Sequence, residues 1–151
     1  MNNAPIFIID DDLEELEIVQ EIWQELGFEN SLEVFSNIDD MLFRLVQEDT
    51  TPFLIISEVH LPGMSGLDLC EKLAKDPVIK NKNIPFLLWS IASSKETIKR
   101  ANDCGGHGFF LKGRDWNAIK DSLQMIVNYW NASQRPNFSK VIPLNYQKYY
   151  V

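Results

Sequence analysis

"FLIISEVHLPGMSG", residues 53–66, carries an unbroken apolar run into one carboxylate, Glu58, and then into a turn bearing Pro62 and two glycines. An apolar run without alternation suits a strand buried on both faces, which requires a parallel sheet covered by helices. The same pattern recurs in "PIFII" (5–9), "IPFLLWS" (84–90) and "GFFLK" (108–112), while "SLEVFS" (31–36) alternates enough for a further strand. Amphipathic segments lie between these runs. Residues 13–27 place Leu16, Val19, Trp23 and Leu26 at three-to-four spacing, with Gly27 as the stop. Ser36 and Asp39 stand in capping-box spacing ahead of Met41, Leu42 and Leu45. "GLDLCEKLAKD" (66–76) supplies a third helix. "SSKE" (93–96) opens a fourth that offers only Ile98 and Ala101 as apolar contacts, and 116–130 forms the last.

Five such strand–helix units in series predict an α/β fold, a doubly wound five-stranded parallel sheet flanked by helices, over residues 1–133. Residues 134–151, "QRPNFSKVIPLNYQKYYV", carry two prolines and the aromatics Phe138, Tyr146, Tyr149 and Tyr150 without helical period. They are expected to form a tail, with no output domain, that packs on the parent domain or engages a partner.

Composition narrows the function. The chain has 151 residues, a formal charge of −8 and a pI near 4.7, with its 14 Lys and Arg scattered, so direct nucleic-acid binding is not expected. No apolar run approaches the roughly 20 residues of a membrane helix, and the first strand begins too close to Met1 for a leader. A cytoplasmic protein without membrane contact is the expectation. Cys70 and Cys104 lack metal-ligand spacing and read as reduced structural thiols in preference to a disulfide.

In such a sheet, chemistry gathers beyond the carboxyl ends of the strands. Those ends present Asp10, Asp11 and Asp12, then Glu58, Ser90 and Lys112. Clustered carboxylates call for a shared cation, and a hard ion such as Mg²⁺ prefers oxygen ligands. A lysine and a hydroxyl opposite them suit the oxygens of a phosphoryl group.

With "IIDDD", "LIISEVHLPGMSG", "IPFLLWS" and "GFFLK" in this order and spacing, the sequence resembles the response-regulator receiver domains of two-component signalling over residues 4–132. The resemblance implies phosphorelay signal transduction rather than an enzyme's role. It assigns Asp10 and Asp11 to the metal pair, Glu58 to the phosphoacceptor position, Ser90 to the switch hydroxyl, Lys112 to the family lysine and Phe109 to the switch aromatic. The backbone carbonyl of His60 would join Asp10, Asp11 and Glu58 around Mg²⁺, the one cofactor implied. A sensor histidine kinase or phosphotransfer protein would act upstream, and a downstream protein target would meet the 94–133 face.

Three positions depart from the family's pattern. Glu58 replaces the usual aspartate, Ile91 replaces a small residue after the hydroxyl, and Gly113 replaces the proline after the lysine. Glutamate moves its carboxylate by roughly 1.5 Å, one carbon–carbon bond. A misplacement of about 1 Å can cost on the order of a hundredfold in rate. The expectation is therefore an atypical receiver with impaired phosphorylation, in which Glu58 partly imitates a phosphoryl group. Ile91 is expected to crowd the approach to the acceptor, and Gly113 to loosen the turn after Lys112.

Other readings stay open on the sequence alone. Glu58 also fits a slow phosphoacceptor, or an inert surface acid. Asp10–Asp12 also fit a helix cap, Ser90 a filler, Lys112 a solvated lysine, and Phe109, Trp89 and Trp116 plain packing. "FIIDDDLEE" (7–15) also fits the opening of a haloacid-dehalogenase-like phosphatase with Asp10 as nucleophile and Asp12 as acid/base. A flavodoxin-like cofactor binder lacks the Gly-rich phosphate loop.

Overall fold

The computed structural model describes residues 3–47, 49–91 and 93–133; the expectations for 134–151 lie outside the described residues. Its elements are β1 (Ile6–Ile9), α1 (Leu13–Leu26), β2 (Leu32–Phe35), α2 (Ile38–Leu45), β3 (Leu54–Ser57) and α3 (Gly66–Lys75). They continue as α4 (Pro77–Lys80), β4 (Phe86–Ser90), α5 (Lys95–Asp103), β5 (Gly108–Leu111) and α6 (Trp116–Ala132). All strand pairs are parallel, in the order β2-β1-β3-β4-β5.

The apolar runs take the middle of the sheet because only there are both faces dry. Every residue of β1, β3 and β4 is buried, whereas the outer strands β2 and β5 are not. Alternation along the strands divides the core in two. Ile6, Ile8, Leu54, Ile56, Leu87 and Trp89 meet α1 and α6 on one side. Phe7, Ile9, Ile55, Phe86 and Leu88 meet residues of α2 to α5 on the other.

The helix ends show where local chemistry departs from pattern reading. Asp12 caps α1 by accepting the N–H groups of Glu14 and Glu15, and Gly27 closes it in the left-handed region at φ 66°. The cap of α2 is Asn37, which accepts from Asp40 N, one residue later than the expected Ser36–Asp39 box. A reciprocal capping box does form at α3, between Ser65 and Asp68. The short α4 was not foreseen; Asp76 ends α3 and caps α4 ahead of Pro77. Helix α5 buries only Ala101, and Ile98, an expected contact, is 43% exposed.

Candidate functional site

The parallel register brings the ends of β1, β3, β4 and β5 to one rim. Glu58 is set by its N–H bonded to Ile9 O at 3.0 Å, and Lys112 by its N–H bonded to Ser90 O at 2.8 Å. The turn after Glu58 needs Gly66, because a Cβ there would lie 2.1 Å from the Glu58 carbonyl oxygen. Asp10, Asp11, Glu58, His60, Ser90 and Lys112 all border a cleft of about 250 Å³, together with Asp12, Glu15 and Ile91.

At the centre is the Lys112 ammonium, 2% exposed. It lies 2.7 Å from Asp10 Oδ2, 2.9 Å from Glu58 Oε2 and 3.5 Å from Glu15 Oε1. Glu58 Oε1 accepts from Ser90 Oγ at 2.6 Å and from the backbone N–H of Val59 at 2.9 Å, with a longer 3.3 Å contact from His60 N. Burial works against a charge on Glu58, but the Ser90 hydroxyl, the Lys112 ammonium and the His60 N–H outweigh it and hold its pKa below the ordinary value. Burial likewise opposes the Lys112 charge and is outweighed by Asp10 and Glu58, leaving that pKa raised. Glu58 and Lys112 therefore stand as an ion pair at neutral pH.

Glu15 is the residue that pattern reading missed. Burial, only partly offset by Lys112, raises its pKa, and its buried Oε1 is at ion-pair distance from Lys112 without hydrogen-bond geometry. The signal was present: helical side chains lean toward the N-terminus, so an acid early in α1 leans back over the strand ends. Trp89, read above as plain packing, also touches the site. Lys112 Nζ is 4.9 Å from the centroid of its ring, and its indole N–H donates to Ser122 Oγ.

The metal expectation meets a difficulty. Both Asp10 oxygens are engaged, Oδ1 by Asp12 N and Oδ2 by Lys112, and both Glu58 oxygens are engaged as above. His60 turns an N–H toward Glu58, and among the described residues no three His, Cys, Asp or Glu are gathered to hold a metal. As arranged, the Lys112 ammonium already supplies the cation that Asp10 and Glu58 share.

The departures also resolve. Ile91, 45% exposed, stands at the cleft's mouth. Gly113 also has a steric reason to be glycine: a Cβ there would sit 2.2 Å from Ala118 Cβ, so its absence lets α6 pack close against the turn after Lys112. Phe109 is half-buried against the core that α2 to α5 share, and Trp116 is 38% exposed. Asp12 caps α1 and Asp10 pairs with Lys112, the helix-cap and ion-pair roles in place of those of the phosphatase alternative.

Residues 6–124 match the family model of the response regulator receiver domain. The chain belongs to that family. It is 29% identical over 125 residues to the chemotaxis protein CheY-3 of Vibrio cholerae, covering 82% of this chain and 92% of the relative. With the chemotaxis protein CheY of Pseudomonas aeruginosa it shares 25% over 128 residues, covering 84% and 98%. Among solved structures, the phosphorylated cyanobacterial phytochrome response regulator RcpA superposes with a TM-score of 0.78 at 18% identity, covering 90% of this chain and 100% of that one. The Mn²⁺-bound form of response regulator Rcp1 gives 0.76 at 18%, covering 89% and 99%. This receiver is thus a CheY-like response regulator of two-component signalling. No helix among the described residues is long and apolar enough to cross a membrane.

Proposed function

We propose that this receiver signals through protein contacts from a state its own Glu58 maintains, with phosphotransfer impaired. One observation carries the reading. The Glu58 carboxylate bridges Ser90 Oγ at 2.6 Å and Lys112 Nζ at 2.9 Å, the hydroxyl and the cation suited to a phosphoryl group. The longer arm of glutamate puts negative charge where a phosphoryl oxygen would be, and the two groups that would answer phosphorylation are already engaged. A carboxylate offers one charge and two oxygens against the phosphoryl group's three, so the imitation is partial.

The same bridge disfavours attack. In-line transfer needs a free carboxylate oxygen facing the donor phosphorus, and both Glu58 oxygens are bound. A histidine kinase or phosphotransfer protein remains the upstream partner the family implies. The downstream target is proposed to dock on the 94–133 face, where Phe109 lies beside the lightly anchored α5.

The test is intact-mass spectrometry after incubation with acetyl phosphate, for the natural chain and Glu58→Asp in parallel. A silent natural chain beside a readily labelled variant is expected. Stoichiometric, acid-stable and base-labile phosphate on Glu58 would overturn the proposal in favour of a slow acceptor.

A further inference from the structure

Glu15 stands at the third position of α1, its N–H donated to the cap Asp12 at 3.2 Å. An acid at that position ordinarily reaches back to the N–H of the cap residue and closes a capping box. Here that N–H is already given to Asp10 Oδ1 at 3.0 Å. The Glu15 side chain is left without that duty, only 15% exposed, and its buried Oε1 meets no hydrogen-bond donor among the described residues. Buried polar atoms rarely go unpaired, so this oxygen calls for a partner in another arrangement of the site.

Lys112 Nζ lies 3.5 Å from that oxygen. The ammonium has three N–H groups, and Asp10 and Glu58 accept two of them. A small rotation that shortens the distance to the 2.9 Å now held to Glu58 would make Glu15 a full partner.

We propose that Glu15 is the alternative partner of Lys112, a positioning residue that receives the ammonium when Glu58 lets it go. Lys112 is 2% exposed, and removing one counter-charge from so buried a cation is strongly unfavourable. Release by Glu58 would otherwise leave it with Asp10 and the face of Trp89. With Glu15 in reach, the bridge between Glu58 and Lys112 opens while the ammonium keeps two carboxylates. Burial outweighs the pull of Lys112 and raises the Glu15 pKa, the condition of an acid whose cation is committed elsewhere.

Opening the bridge frees Glu58 Oε2, one of the bound oxygens that disfavour in-line attack. That consequence rests on the output reading above; the exchange of partners does not.

The experiment uses the full chain with Glu15→Gln and Glu58→Gln, singly and together. Glutamine keeps the length of each side chain and removes its charge. Alone, Glu15→Gln should leave Tm at neutral pH unchanged. In the Glu58→Gln background the same substitution should lower Tm by roughly 2–4 °C more, because Lys112 then keeps Asp10 alone. Scalar couplings across hydrogen bonds, from the isotope-labelled Lys112 ammonium to side-chain carboxyl carbons, name the partner directly. In the natural chain Lys112 should couple to Asp10 and Glu58, and in Glu58→Gln a coupling to Glu15 should appear. Equal Tm shifts from Glu15→Gln in both backgrounds overturn the proposal, since a merely structural role would move both alike. So does a Glu58→Gln chain whose Lys112 couples to Asp10 and not to Glu15. If the double variant does not fold, the couplings in Glu58→Gln decide by themselves. Neither readout involves phosphate, so both hold whether or not Glu58 is an acceptor.

Discussion

The Lys112 ammonium stands 4.9 Å from the centroid of the Trp89 ring, so the cation that pairs with Glu58 also rests on an aromatic face of the core. That ring is fixed by its N–H, which donates 2.7 Å to Ser122 Oγ on α6. Ser122→Ala leaves the indole N–H buried without an acceptor, at a cost of about 1–3 kcal/mol. Urea unfolding of the natural chain and the variant measures it. A loss within about 0.5 kcal/mol, the range of ordinary surface changes, would show that Trp89 holds Lys112 without help from α6.

The pairing of Glu58 with Lys112 and Ser90 sets a dependence on acid. Burial opposes the Glu58 charge, but Ser90, Lys112 and the His60 N–H more than offset it, so the folded pKa lies below the ordinary 4.5. A depressed carboxylate adds stability above its unfolded pKa and loses it as pH falls through the folded value. Glu58→Gln should therefore lower Tm at pH 6–7, and the gap should close as pH falls below about 4.5. Glu15 shifts the opposite way because burial dominates there, so Glu15→Gln should not lose stability at neutral pH. Thermal melts across pH 3–7 decide both; a gap for Glu58→Gln that widens toward acid contradicts the ion-pair reading.

Gly113 separates a steric role from a conformational one. A methyl group there meets Ala118 Cβ at 2.2 Å, and overpacking of this kind costs about 1–3 kcal/mol. Gly113→Ala should destabilise, and Ala118→Gly should recover part of the loss despite the roughly 1 kcal/mol that glycine costs inside a helix. A double-mutant cycle reads the coupling. Strict additivity would mean that the two residues do not touch.

The central sheet was legible because β1, β3 and β4 are each buried on both faces, which appears in sequence as short apolar runs without alternation. The rim followed from it, since a parallel register brings Asp10, Glu58, Ser90 and Lys112 to one edge whatever the helices do. What pattern reading missed depends on angles around a helix. Glu15 and Ser122 are ordinary polar residues in sequence, and only the lean of α1 and the rotation of α6 turn them toward Lys112 and Trp89. The cap of α2 slipped because Asn37 competes with Ser36 for the same role, and periodicity cannot choose between adjacent capping residues. The steric role of Gly113 was hidden for a related reason: its neighbour in space, Ala118, is five residues away and invisible until α6 is placed.

Cys70 and Cys104 are free thiols on α3 and at the end of α5, and both are buried. Burial, reinforced by the neighbouring Cys104 thiol, pushes the Cys70 pKa well above the usual range. Cys70 Sγ donates to Cys104 O at 3.5 Å, and Cys104 Sγ to Ala101 O at 3.2 Å, so each thiol is tied to backbone. The thiolate is the reactive species, and a buried thiol held protonated offers almost none of it. Iodoacetamide at pH 8 should therefore leave the folded chain unmodified for hours, and both cysteines should alkylate together once urea passes the unfolding midpoint. Rapid modification of Cys104 alone in the absence of urea would instead reveal that α5, which buries only Ala101, lifts from the sheet in the native state.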